Sequence, residues 1–366
     1  MKSALGDLSY CMNVHAYQDL AGIMNALKTV TLPLRERLAP DKPFGLGIWI
    51  PNTTLDEDLS ELENFLQKEN LYVFTINGFP YGRFHGEAVK HTVYRPDWST
   101  KERLEYTISL VDFLANQIAE GEVGTISTVP VAYRKELPPL AVNHLLEIND
   151  YCRKVYRKSN KKILICLEPE PDCYIENTKE TIQFFERLRL HDSRIDEHLA
   201  VCFDTCHISL QGEHPASSLK ALNAAGIKVG KVQLSAALGF HYNANKIQEL
   251  VPFDEPVYLH QTRIFENDTL VKHFPDLSPA LQHADEYPYT WKIHYHIPLH
   301  RKPKDSFFST IDELDQDFWQ TAKQLCPHFE VETYTFDVLP DAHESLEDSI
   351  FNELKWVEAQ TEAYLK

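Results

Sequence analysis

Carboxylates and imidazoles end the apolar runs of this chain. KILICLEPE (162–170) closes on Glu168 and Glu170, and LAVCFDTCH (199–207) closes on Asp204 and His207. KVQLSAAL (231–238) carries Gln233 and Ser235. TWKIHYHIPL (290–299) carries His294 and His296, with His300 just beyond, and HFEVETYTF (328–336) carries Glu330 and Glu332 ahead of Tyr334. A carboxylate inside an apolar strand is costly unless it is paired or bound to a cation. Several of them from separate runs, together with imidazoles, suit a divalent metal such as Zn, Mn, Fe or Co. Glu168 and Glu332 also suit an acid/base pair, one removing a proton α to a carbonyl and the other returning it. The plainer alternative is a set of capping or ion-paired carboxylates at strand ends.

Strand alternation narrows the choice. If Glu168 points inward, so do Cys166 and Glu170, while Pro169 does not. Glu332 then shares its face with Glu330 and Tyr334, and Glu330 lies one layer deeper as a weaker ligand candidate. His294 and His296 share a face, with His296 nearer the strand end.

Short apolar runs must position these groups. Beside the five above stand LSYCMNVHA (8–16), PFGLGIWIP (43–51), LYVFTINGF (71–79) and VGTISTVPV (123–131). They are β-branched or aromatic and nearly continuously apolar, as strands buried on both faces are. Capping-box signatures at Thr54/Glu57, Ser99/Glu102 and Thr310/Glu313, and Asn177 before its helix, open amphipathic helices between them. A last helical pattern covers 342–365. Repeated strand–helix alternation predicts an α/β fold, a (β/α)8 TIM barrel whose strand ends converge on one mouth. One of the nine runs is surplus or belongs to an insertion. The polar stretch 239–290 is expected to be an irregular excursion between strands seven and eight, near the mouth of a single barrel domain spanning 1–366.

Composition bounds the partners. Lys and Arg number 36 against 54 Asp and Glu, a formal charge of −18 over 366 residues. So acidic a surface repels phosphate backbones, and nucleic acid is not expected. No apolar stretch is long enough for a signal peptide or, at about eighteen residues, a membrane span. The seven cysteines are odd in number and form no CxxC, which predicts reduced buried thiols in a cytoplasmic protein. No GxGxxG or GxxxxGK[ST] offers dinucleotide or P-loop chemistry.

Glu closing the fifth strand, Asp-x-x-His closing the sixth and Glu closing the last resemble the xylose-isomerase-like TIM-barrel superfamily, which includes sugar and sugar-phosphate isomerases and epimerases and the endonuclease IV nucleases. That resemblance implies Glu168, Asp204 and Glu332 as metal ligands and His207 as a substrate or second-metal residue. The usual strand-seven His is replaced by Gln233, with His294 or His296 the alternative ligand. NGFPYGRFHG (77–86), VKHTVYRPDW (89–98), STVP (127–130), LEPEP (167–171), DTCH (204–207), YLHQTR (258–263), HYHIPL (294–299) and VETYTFDVLP (331–340) further resemble the EboE family of metabolite-traffic proteins. This implies the handling of a small metabolite, encoded in bacteria beside a prenyltransferase-like membrane protein. His260, Gln261 and Arg263 are expected to form an anion clamp over the mouth, Arg being suited to phosphate or carboxylate. Asn13, His15, Asn77, Arg83 and His85 follow strands one and three and are expected to line the pocket, with Phe79, Tyr81, Phe84 and Trp98 flooring a ring-bearing ligand or packing the loop. Three functions remain open: an isomerase or epimerase of a small polar or phosphorylated metabolite, a metal-containing carrier without turnover, and an endonuclease IV-like phosphodiesterase.

Overall fold

The computed structural model describes residues 1–303, 306–340 and 344–365. Eight parallel strands form the central sheet: β1 (Asp7–Tyr10), β2 (Phe44–Ile48), β3 (Leu71–Asn77), β4 (Val123–Thr128), β5 (Lys162–Leu167), β6 (Leu199–Asp204), β7 (Val229–Leu234) and, after a long excursion, the closing strand His328–Val331. The closing strand lies between β1 and β7, and the other six follow in chain order back to β2. A parallel bridge from Cys11 to Gly47 brings the two edges together. The strands are short and almost wholly buried, because helices cover the outside and side chains fill the inside. This is the expected barrel, and all seven cysteines are buried and free. Among the described residues, no helix is long and apolar enough to cross a membrane.

The barrel interior holds an ion pair. Lys231 on β7 meets Glu330 on the closing strand, both without solvent exposure. Gly47 on β2 leaves room for Glu330, whose carboxylate occupies the space that a Cβ there would need.

The excursion is ordered, in contrast to the irregular stretch expected for 239–290. It builds a second, antiparallel sheet from β8 (Leu238–His241), β9 (Thr262–Glu266), β10 (Thr269–Phe274), β11 (Thr290–Ile293) and β12 (Phe307–Ser309), in the order β10-β9-β11-β8-β12. The closing barrel strand is therefore β13 (His328–Val331). Of the run at 290–299, Thr290–Ile293 belongs to this second sheet and the residues after it leave the strand. Asn267 and Asp268 both take positive φ, 47° and 63°, giving the two-residue turn that joins twisted strands. Leu238, Phe240, Ile264, Trp291 and Ile293 form a separate apolar core beneath it.

Helix starts shift by a few residues from the expected caps. The pattern assigned to Thr54/Glu57 begins with a 3-10 turn, Asn52–Asp56, and the α-helix runs Ser60–Lys68. Asp58 accepts from the Ser60 amide at 3.0 Å and so competes for the start. Thr100, not Ser99, caps Lys101–Gln117, and Asp315 caps Gln316–Leu325 after a 3-10 turn at Thr310–Glu313. Asn177 caps Thr178–His191 as expected. The last helix runs Leu346–Tyr364, and residues 342 and 343 of that expectation lie outside the described residues.

Candidate metal centre

Three strand exits bring Glu168, Asp204 and Glu332 together. One oxygen from each lies within 4.8 Å of the others, and all three residues are buried. Asp204 and Glu332 are held from behind. The Asp204 Oδ1 accepts from the Ser235 hydroxyl at 2.7 Å and the His207 amide at 3.0 Å, while its Oδ2 has no partner. The Glu332 Oε1 accepts from the side-chain amides of Asn13 at 2.8 Å and Asn77 at 3.1 Å. The Glu168 Oε2 is buried and unpartnered. Burial pushes Glu168 well above the usual carboxylate range, and Glu332, Asp204 and Glu170 add to it. Burial and Asp204 likewise raise Glu332. Burial opposes ionisation of Asp204, but the neighbouring imidazoles and its two donors hold it below the ordinary value. Bare, buried acceptors this close suit a cation, which would remove their mutual repulsion.

Three imidazoles stand above them in one tautomer. The Nδ1 atoms of His207, His294 and His296 face carbonyl oxygens of Pro169 (3.1 Å), the Gln261 side chain (2.7 Å) and Glu332 (2.9 Å). A carbonyl only accepts, so each Nδ1 carries the proton and each Nε2 presents a lone pair. The Gln261 amide is oriented by its own donation to Tyr94 Oη. The His296 Nε2 is buried without a partner. The Nε2 atoms of His207 and His294 face each other at 3.1 Å. Burial keeps all three neutral; His207 is lowered to about 4, against the pull of Asp204. An Nδ1 anchored on a carbonyl with Nε2 free is the arrangement of a metal-ligating histidine. Overlapping donor groups follow: Asp204, His207 and His296; Cys206, His294 and His296; and Glu170, His207 and His294. Glu170 accepts from Tyr94 Oη at 2.7 Å and leaves its Oε2 bare. Burial pushes Glu170 up to about 8, despite the Tyr94 donor. The residues present therefore fit a divalent cation.

His294 and His296 reach the mouth because β11 ends there. The Ile297 amide bonds Ala236 O, which sets His296 beside the exit of β7. Gln233, the other candidate for the strand-seven position, is buried, and its Oε1 accepts from the Cys202 thiol at 2.8 Å, a pleat below Asp204.

Other expected site residues fall elsewhere. Arg263 and His260 form no clamp over the mouth. Arg263 is buried behind the wall, bonded to Asp172 at 2.9 Å and near Glu176, tying the second sheet to the loop after β5. His260 bonds Glu255 through Nε2 and the His294 carbonyl through Nδ1. The clamp rests on the phrase YLHQTR alone, and the second sheet instead turns both side chains behind the wall. His15 bonds Tyr10 Oη at 3.0 Å, outside the pocket lining. His85 joins the Asn13 carbonyl to Tyr258 Oη. Arg83 is exposed and paired with Glu87, and His300 pairs with Glu344. Trp98 is fully buried and supports the loop, whereas Phe79 and Phe84 do line the pocket.

The pocket above the carboxylates has a cavity volume of about 50 Å³. Tyr94, Tyr258, Leu259 and Lys90 line it as well. Sequence reasoning assigned none of these four. Tyr258 and Leu259 precede the expected clamp in YLHQTR and carried a weak signal only as part of that phrase.

No family model matches the chain, and no curated protein matches it in sequence. Solved structures do match. A xylose isomerase-like TIM barrel protein from Mycobacterium smegmatis, in complex with magnesium, aligns at a TM-score of 0.53 and 12% identity, over 100% of both chains. The IOLI protein, with a binding zinc atom, aligns at 0.52 and 11% identity, over 98% of this chain and 99% of its own. At this identity the likeness defines the fold: the chain folds as a xylose isomerase-like TIM barrel.

Proposed function

We propose that this protein is a divalent-metal-dependent enzyme that isomerises or epimerises a small metabolite bearing adjacent hydroxyl and carbonyl groups. The observation that carries this reading is the convergence of Glu168, Asp204 and Glu332 at the barrel mouth, with one bare oxygen on Glu168 and one on Asp204. These three would hold the ion, with the His296 Nε2 as a fourth donor in place of the missing strand-seven imidazole. The ion would supply Lewis-acid polarisation of a substrate oxygen. Glu168 and Glu332 are the candidates for removing and returning the α proton. The Asn13 and Asn77 amides fix one oxygen of Glu332 and so aim the other. His207, neutral and with Nε2 turned to the pocket, would orient a substrate hydroxyl. Burial excludes water from the transfer. The phrases that resemble the EboE family support a place in metabolite handling beside a prenyltransferase-like membrane protein.

The facing Nε2 atoms of His207 and His294, with Glu170 beside them, favour a second reading. A second cation there would make a multi-metal centre of the kind that serves phosphodiesterases. The charge of −18 counts against a nucleic-acid polymer as the substrate. A carrier that holds a metabolite without turnover is the remaining alternative.

Elemental analysis of protein purified without chelator tests the centre. About one equivalent of metal, lost in Glu168→Gln and Asp204→Asn, is expected. Metal-loaded protein in D2O should then exchange the α hydrogen of a hydroxy-carbonyl substrate, and Glu332→Gln should abolish exchange while keeping the fold. Bound metal with stoichiometric ligand binding and no exchange would point to the carrier. Cleavage of a phosphodiester would point to the second reading. No metal uptake would sink the proposal.

A further inference from the structure

The walls of the pocket differ from its floor. Phe84, Tyr258 and Tyr334 touch one another, with ring centroids 5.5 Å (Phe84–Tyr258), 5.4 Å (Phe84–Tyr334) and 5.0 Å (Tyr258–Tyr334) apart. Phe79, Val93 and Leu259 extend the apolar surface. The hydroxyls of the wall are already engaged: Tyr258 Oη on His85, and Tyr334 Oη near the His294 Nε2 at 3.3 Å. What remains for a ligand is ring surface.

Cationic groups are equally engaged. Lys90 is the one Lys or Arg among the residues lining the pocket, and its ammonium binds Asp276 at 2.7 Å and the Glu255 carbonyl at 3.2 Å. Arg263 is bound to Asp172 behind the wall. The His207 and Cys206 amides, which an anion would seek at the strand exit, are taken by Asp204 and Ser235. Four carboxylates, Glu168, Glu170, Asp204 and Glu332, line or underlie the same space. A phosphate dianion would enter against them without a free protein cation to receive it. A sugar would meet polar partners at the floor and none along the wall.

From this division we infer the substrate class: a molecule with a neutral hydroxyl or carbonyl head on the carboxylate floor and a flat apolar body, an aryl or unsaturated ring, against Phe84, Tyr258 and Tyr334, carrying no phosphate. The inference rests on the metal reading above for the head and on the wall for the body. Ring-on-ring contact in offset or edge geometry adds to the area buried, so the body contributes affinity of its own.

Two hydroxamates separate the parts, since they share a metal-binding head and differ in the body. Titration calorimetry on metal-loaded protein should find benzohydroxamate at least about tenfold tighter than acetohydroxamate, a difference of about 1.4 kcal/mol. Phe84→Ala and Tyr258→Leu should each shrink that ratio, and circular dichroism checks that both variants keep the fold. Equal affinities, a ratio kept in both variants, or inorganic phosphate binding tighter than benzohydroxamate would overturn the substrate class and leave the metal centre standing. A protein that takes up no metal would remove the metal reading and the inference with it, whereas metal-loaded protein that binds neither hydroxamate would remove the inference alone, and the metal content tells the two failures apart.

Discussion

Replacing Glu168 by Gln should stabilise the metal-free protein and destabilise the metal-loaded one. The trio of Glu168, Asp204 and Glu332 packs oxygens within 4.8 Å. Two unit charges at that distance repel by about 3.5 kcal/mol at an effective dielectric near 20. Protonation relieves part of this, because Glu168 and Glu332 are raised above the ordinary 4.5. The amide also leaves a buried donor to satisfy, at about 1 kcal/mol. A net gain of about 2 kcal/mol follows, or roughly 2–4 °C in Tm for a chain of this size. The sign with pH is fixed. A carboxyl raised in the folded state binds its proton more tightly there than in the unfolded chain. Its stability contribution is complete below about 4.5 and is lost as pH rises through the raised value. The advantage of the variant should therefore be small at pH 5 and grow towards pH 8. A metal at a hundred times its Kd adds about 2.7 kcal/mol to the wild type, and the variant should lose most of that. Differential scanning calorimetry at pH 5 and pH 8, with and without Zn or Mn, reads all four quantities. An equal Tm loss in every condition would refute the electrostatic argument, since a purely structural Glu168 has no reason to reverse sign.

Other substitutions probe the supports. Lys231→Met alone should cost about 3–5 kcal/mol by leaving Glu330 buried and unpaired, while Lys231→Met with Glu330→Leu should recover most of it, as read by urea unfolding. Glu353 is pushed up to about 7 by burial while accepting from the Leu299 amide and the Thr333 hydroxyl. Glu353→Ala should cost about 1–3 kcal/mol by orphaning those donors, and Glu353→Gln, which keeps an acceptor, should cost less at pH 8 than at pH 5. His296→Gln should lower metal occupancy in equilibrium dialysis while circular dichroism stays unchanged; undiminished occupancy would remove His296 from the centre.

The barrel was legible because its strands are short apolar runs and each needs the same burial on both faces. Carboxylates interrupting such runs were visible for the same reason, and Glu168, Asp204 and Glu332 come together where the strand exits meet. The excursion was not legible. Thr269–Phe274 is exposed along most of its length, and β8 and β12 are only 4 and 3 residues long. Charge and polarity there looked like loop, although Asn267-Asp268 between TRIFE and TLVKHF was a hairpin signal. The expected clamp put Arg263 and His260 over the mouth, whereas their bonds to Asp172 and Glu255 hold them behind the wall. The Tyr258 wall was hidden likewise, since it depends on the loop around Val89 bonding the Val257 carbonyl, a contact no local pattern encodes.

The hydrogen bond from Asn13 to Glu332 joins residues 319 apart. It has a consequence for the order in which the molecule is made. A chain leaving the ribosome can lay down β1 to β7 and fold helices against them, yet the mouth lacks Glu332, and β1 lacks its neighbour β13, until the last tenth of the chain emerges. The loop that must close is nearly the whole sequence, so this step is slow relative to local folding. Before it, Glu168 and Asp204 face each other without their third partner and without the asparagines that orient it. Competence to hold a cation tightly thus arrives with closure, and a nascent or truncated chain should be a poor scavenger of free metal.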